Sequence, residues 1–125
     1  MPGDFTDLLA WQEASALVAD VQEIASRLKG IGATDAAAQL ISAAESISAN
    51  IAEGYGRGFG RDYCRFLRIA IGSATEVENR LHIAVTGRRI AARDVEKAIK
   101  RTRRARALTT GFLGWLEREL KKGKA

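Results

Sequence analysis

Apolar residues recur along this chain at alternating intervals of three and four, the spacing that lines up side chains on one face of an α-helix. Trp11, Ala14, Val18, Val21, Ala25 and Leu28 follow it first. Ala37, Leu40, Ala44, Ile47 and Ile51 repeat it, and Leu67, Ala70, Ala74, Val77, Leu81 and Ala84 repeat it again. A fourth stretch is apolar mainly in its second half, through Phe112, Leu113, Leu116 and Leu120. No segment alternates with period two over a useful length, so the pattern predicts no strands. Glycines mark the breaks at Gly30-Ile31-Gly32, from Gly54 to Gly60 and at Gly87, while the one proline stands at position 2.

Four helices are therefore expected, at about 6–29, 34–53, 61–87 and 91–121. Asp4 or Thr6 is placed to cap the first helix and Thr34 or Asp35 the second, which Gly54 would end through a left-handed exit. Arg61 or Asp62 opens the third. Connections of about three to eight residues make successive helices antiparallel neighbours. The expected fold class is all-α, an antiparallel up-down-up-down four-helix bundle spanning 1–125 as a single domain. A chain of 125 residues removes roughly two-thirds of its surface from water around one core.

Charge changes the picture because it is localised. Residues 88–106 hold nine of the twenty lysines and arginines against only Asp94 and Glu96, a net +7, while the rest of the chain is net −2. Such an excess points to an electrostatic face for an anionic partner. Arg93, Lys97, Lys100 and Arg104 form one helical stripe, flanked by Arg89, Arg101 and Arg103. If about five phosphates were contacted, log affinity would fall with log salt at a slope of roughly −4 to −5 on duplex. The opposing reading is a solvated face that keeps the helix soluble.

No run approaches the roughly 20 apolar residues that cross a bilayer, and Met1-Pro2-Gly3-Asp4 has no basic start or apolar stretch. A cytoplasmic protein without a membrane partner is expected. The lone Cys64 and lone His82 read as packing residues; they provide no thiolate and imidazole cluster, so neither metal nor cofactor is expected.

Beside the seam of helix two runs a second line, Gln39, Ala43, Ser46, Asn50 and Glu53, matched on helix three by Phe66, Ile69, Ser73, Glu76, Arg80 and Ile83. Its polar members read as a structural network of Ser46, Asn50, Glu53, Ser73, Glu76 and Arg80, as solvated helix faces, or as an acid-base or metal site. The metal version usually needs Glu-x-x-His motifs, and the chain has none. Between these helices, Gly54-Tyr55-Gly56-Arg57-Gly58-Phe59-Gly60-Arg61 interleaves glycine with aromatics and arginines. Arg57 and Arg61 with the aromatics can stack on single-stranded nucleic acid, or the segment is simply a turn. A Walker-type nucleotide loop is not expected, since Gly-Lys-Ser/Thr and a preceding strand are absent. Trp115 and Leu108, with Phe112 between them, can anchor a subunit interface or cover the open end of the core.

The run Ser46-Ile47-Ser48-Ala49-Asn50-Ile51-Ala52-Glu53-Gly54-Tyr55-Gly56-Arg57, followed by Phe66-Leu67-x-x-Ala70-x-Gly72-Ser73-x-x-Glu76, resembles the four helix bundle protein family. These are small bacterial proteins first noticed as reading frames inside intervening sequences of 23S ribosomal RNA genes, and similar folds accompany diversity-generating retroelements. Phe5-x-x-Leu8-x-x-Trp11-x-x-Ala14 and Phe112-Leu113-x-x-Leu116 extend the resemblance over nearly the whole chain. It implies an antiparallel four-helix protomer, commonly a homo-oligomer in a ring of five, without known catalysis. A role in binding RNA or DNA, or protein partners such as a reverse transcriptase, is implied as well. Ser46, Asn50, Glu53, Gly54, Arg57, Ser73 and Glu76 fall on the family's recurrent positions. The sequence departs from the family where Gly30-Ile31-Gly32-Ala33 replaces a Phe-Pro turn and Ile41-Ser42 replaces arginines. That leaves the basic half of helix four as the candidate phosphate contact. An enzyme using Glu53, Glu76 and Arg80 is not expected, for want of any clustered His, Cys or nucleophile motif.

Overall fold

The computed structural model describes residues 3–124; Met1 and Pro2, read above for targeting signals, and Ala125 lie outside the described residues. Four helices, α1 (Leu9–Gly30), α2 (Thr34–Gly56), α3 (Arg61–Thr86) and α4 (Ala92–Lys124), follow a short 3-10 turn at Phe5–Asp7, with no strand among the described residues. Each helix packs on the next and α1 also packs on α4, the contacts of a four-helix bundle. No helix among the described residues is long and apolar enough to cross a membrane.

The buried seams follow the three-and-four spacing with three additions on α1, the first of them Ala10. Leu17 and Ile24 are buried there as well, whereas Trp11 and Val18, expected on the seam, are only partly covered. Every seam residue expected on α2 and α3 is buried. On α4 the core side is small and polar at first, with Val95, Ala98, Thr102, Ala105 and Thr109, then apolar through Leu113 and Leu116. Thr102 and Thr109 satisfy their buried hydroxyls by donating to the carbonyls of Ala98 and Ala105, each at 2.7 Å.

Three local readings of the sequence are corrected. The first long helix starts at Leu9, not near position 6, because the Asp4 carboxylate accepts the Thr6 N–H at 3.2 Å and closes a separate turn before the extended Leu8. Gly54 is not an exit: α2 continues to Gly56, and a Cβ on Gly54 would lie 2.3 Å from Cδ1 of the fully buried Tyr63. Glycine is needed there for close approach of α2 and α3, while the left-handed residue is Gly58 (φ 86°). His82 is exposed rather than packed, since it stands off the seam one turn beyond Glu78. Cys64 is buried as a packing residue.

The ends of α1 and α3 close in the same way. Ala33 and Gly32 donate to the carbonyls of Leu28 and Lys29, and Arg89 and Arg88 donate to those of Ala84 and Val85. This closure places one residue in the left-handed region. It is Gly32 (φ 84°) after α1 but Arg88 (φ 59°) after α3.

Candidate nucleic-acid interface

Arg93, Lys97, Lys100, Arg101 and Arg104 come together with Glu13 and Glu96 around a shallow groove of about 480 Å³ along the first half of α4. The stripe expected from helical spacing is thus one surface. Its cations are not equally available. Arg101 Nε lies 2.9 Å from Asp20 Oδ2 and Arg101 Nη1 lies 3.6 Å from Glu13. Arg104 Nε reaches Glu13 at 3.0 Å and Lys97 reaches Asp20 at 3.5 Å. Asp20 Oδ2 accepts no hydrogen bond, so the short approach of Arg101 is an ion pair without an aligned N–H.

On the other flank of α4, Glu78 of α3 accepts from Arg103 Nε and Nη2 at 3.0 and 2.7 Å and from Arg106 Nη2 at 2.7 Å, with His82 Nε2 at 3.2 Å. Hydrogen bonds from Arg103, then Arg106 and His82, prevail over partial burial and hold the Glu78 carboxyl at about 2. The same contact raises the Arg103 guanidinium. Asp94 pairs with Arg27 of α1 at 3.1 Å. Of the nine cations between 88 and 106, Lys97, Arg101, Arg103, Arg104 and Arg106 are therefore committed to carboxylates of α1 or α3. Arg88, Arg89, Arg93 and Lys100 are not paired with any carboxylate among the described residues, and of these four Arg93 and Lys100 line the groove.

Arg57 and Arg61 lie elsewhere. Arg57 donates to Asp62 at 3.0 Å and covers the Phe66 ring, which Arg65 also covers. Bonds from Arg65 and Arg57 keep the Asp62 carboxyl below its usual range. Arg61 borders a separate pocket of about 290 Å³ with Cys64, Arg68, Glu117, Leu120 and Lys121. Burial pushes the Cys64 thiol up, against the opposing charge of Arg68, which makes it a poor nucleophile. The aromatics of the loop make ring contacts within the protein, although Phe59 is 40 % exposed. Phe5, Trp11, Tyr55, Phe59, Tyr63, Phe112 and Trp115 form one chain of ring contacts with centroids 5.4 to 6.4 Å apart. Trp115 stacks on Phe112, and Leu108 is partly buried.

The polar line between α2 and α3 is only partly a network. Ser46 and Ser73 hydroxyls meet at 2.8 Å, Asn50 donates to the Ser46 carbonyl and hydroxyl, and Arg80 joins Glu76 to Gln39. Glu53 is exposed and takes no part in these bonds. Among the described residues no group of three or more His, Cys, Asp or Glu side chains could hold a metal ion.

The masking carboxylates Glu13, Asp20 and Glu78 were not singled out from the sequence. Their signal is faint: Glu13 and Asp20 stand seven residues apart on one face of α1, opposite Lys97, Arg101 and Arg104 spaced by four and three.

No curated protein matches this chain. Residues 6–111 match the family model described as 23S rRNA-intervening sequence protein, and the chain belongs to that family.

Proposed function

We propose that this member of the 23S rRNA-intervening sequence protein family is a non-enzymatic, cytoplasmic, oligomeric bundle that binds phosphates of RNA or DNA through the first half of α4. The observation that carries this reading is the groove in which five cations converge and two, Arg93 and Lys100, have no carboxylate partner among the described residues. A structural part for Glu76, tied to Arg80, and the exposure of Glu53 support a protein without acid-base chemistry. The reading includes an up-down-up-down topology, supported by the order of the α1–α4 pairs: Glu13 meets Arg104, Asp20 meets Lys97, and Arg27 meets Asp94. It also includes the pentameric assembly that the family resemblance implies.

The test is anisotropy of labelled RNA and duplex DNA across a salt series. Because two to four cations are uncommitted, the expected slope of log affinity against log salt lies between about −2 and −4 on duplex. R93E/K100E should abolish binding. A flat salt response, or binding kept by R93E/K100E, removes the reading.

A second reading is a protein-interaction scaffold without a nucleic-acid ligand. It is favoured by the exposed Ile69 and Ile83 on α3 and by the partly exposed Trp115. Light scattering that finds only a 13.5 kDa monomer would remove the oligomeric part of both readings.

A further inference from the structure

The groove is lined by the carboxylates Glu13 and Glu96, and Asp20 borders an adjoining pocket with Arg93 and Lys97. Glu13 and Asp20 sit on one face of α1 and meet Lys97, Arg101 and Arg104 on one face of α4. Side-chain exposure is 24 % for Glu13 and 15 % for Asp20, against 61 % for Arg104 and 75 % for Lys97. The carboxylates are thus the deeper-set partners, in the α1–α4 seam, and Lys97 and Arg104 are the more exposed ones. Arg93 and Lys100 interleave with the occupied cations along the same groove.

We infer that Glu13 and Asp20 are an intramolecular stand-in for the ligand's phosphates and set which anions the groove accepts, an inference that rests on the phosphate-binding reading above. An incoming anion meets Arg93 and Lys100 first. To go further it must take Lys97, Arg101 and Arg104 from their carboxylates, and it leaves those carboxylates partly buried and uncompensated. Such a group costs more than an exposed pair gains. A single phosphate cannot offset that loss, because it replaces one contact and strands two acids. A phosphodiester chain can. Arg93 to Arg104 covers about 16 Å of helix axis, several times the roughly 3.4 Å that one nucleotide of a duplex strand rises along its axis, so one chain can reach several of the groove's cations. The groove therefore selects polyanions with closely spaced phosphates over isolated ones.

Glu78 plays a different part on the far flank. It holds Arg103 and Arg106 through three bonds, with His82 at a fourth, and stays ionised down to about pH 2, so those arginines remain outside the footprint.

The experiment compares wild type with E13Q/D20N and with E45Q/E53Q. The second variant makes the same charge change on α2, where both acids are exposed and neither lines the groove. Two probes are used, a labelled oligouridylate of about 20 nucleotides and a heparin-agarose column. E13Q/D20N should bind the oligonucleotide about tenfold more tightly, a change of roughly 1.4 kcal/mol, and elute from heparin at higher salt than E45Q/E53Q. Inorganic phosphate should compete poorly with the oligonucleotide on wild type and better on E13Q/D20N. Equal gains in both variants, or no gain in E13Q/D20N, overturn the inference. If wild type ignores the oligonucleotide, nucleic-acid binding fails, and the heparin arm alone decides the masking: later elution of E13Q/D20N supports it and co-elution with E45Q/E53Q overturns it. Should E13Q/D20N unfold by circular dichroism, E13Q alone, which leaves Asp20 beside Arg101, carries the same comparison with a smaller gain.

Discussion

From Ala92 to Thr109 the core side of α4 is built of Val95, Ala98, Thr102, Ala105 and Thr109, and five cations of that stretch are tied to carboxylates of α1 and α3. From Gly111 onward the same helix buries Leu113 and Leu116, and Phe112 joins it to the aromatic chain through Tyr63. Small side chains give little apolar burial, so the first half depends more on ion pairs, which salt and pH weaken. The second half depends mainly on buried apolar contacts that salt leaves alone, with one ion pair across to α3, Arg68 with Glu117. One helix is thus docked by two kinds of force, and the salt-sensitive half is the one that carries the basic groove.

The largest expected effect tests the apolar half. Leu116→Ala removes a fully buried side chain and should cost about 2–5 kcal/mol in chemical denaturation. The loss should be the same at low and high salt. A strongly salt-dependent loss would break the comparison.

The next tests the ionic half. Glu78→Gln should destabilise by about 1–2 kcal/mol, after allowance for solvent around the exposed guanidiniums. An ordinary glutamate titrates near 4.5, whereas Glu78 is held at about 2. A lowered value means that the folded form favours the ionised group. Its contribution is complete above pH about 4.5 and fades as pH falls toward about 2. Wild type should therefore lose stability across that window more steeply than Glu78→Gln, and the gap between them should shrink in about 1 M salt. A gap unchanged by both would show that the first half of α4 does not rest on these pairs.

The smallest concerns the turn that delivers the chain to α4. Arg88→Gly should stabilise by about 0.5–1 kcal/mol by relieving a left-handed arginine. Gly32, in the equivalent position after α1, already has that freedom. A lower melting temperature in Arg88→Gly would mean that its side chain contributes more than its backbone costs.

Periodicity placed the helices because burial repeats every three or four residues on whichever side meets the core, as Leu40 to Ile51 and Leu67 to Ala84 do. The aromatic chain and the masking of the groove were not legible in the same way. Glu13 and Arg104 are joined across most of the sequence, and no local spacing records which carboxylate a cation will meet. Counting charges between 88 and 106 therefore located the basic face but overstated how much of it is available. Gly54 was misread for a related reason: a glycine near a helix end has the same letter whether it supplies a turn or clears space for a ring.

The fit between Gly54 and Tyr63 has a consequence for how this protein can change over generations. A side chain at 54 is admissible only if the ring at 63 shrinks or withdraws, and a small residue at 63 would open a hole that a lone glycine cannot fill. The two positions should vary as a pair in relatives, even though one sits in α2 and the other in α3.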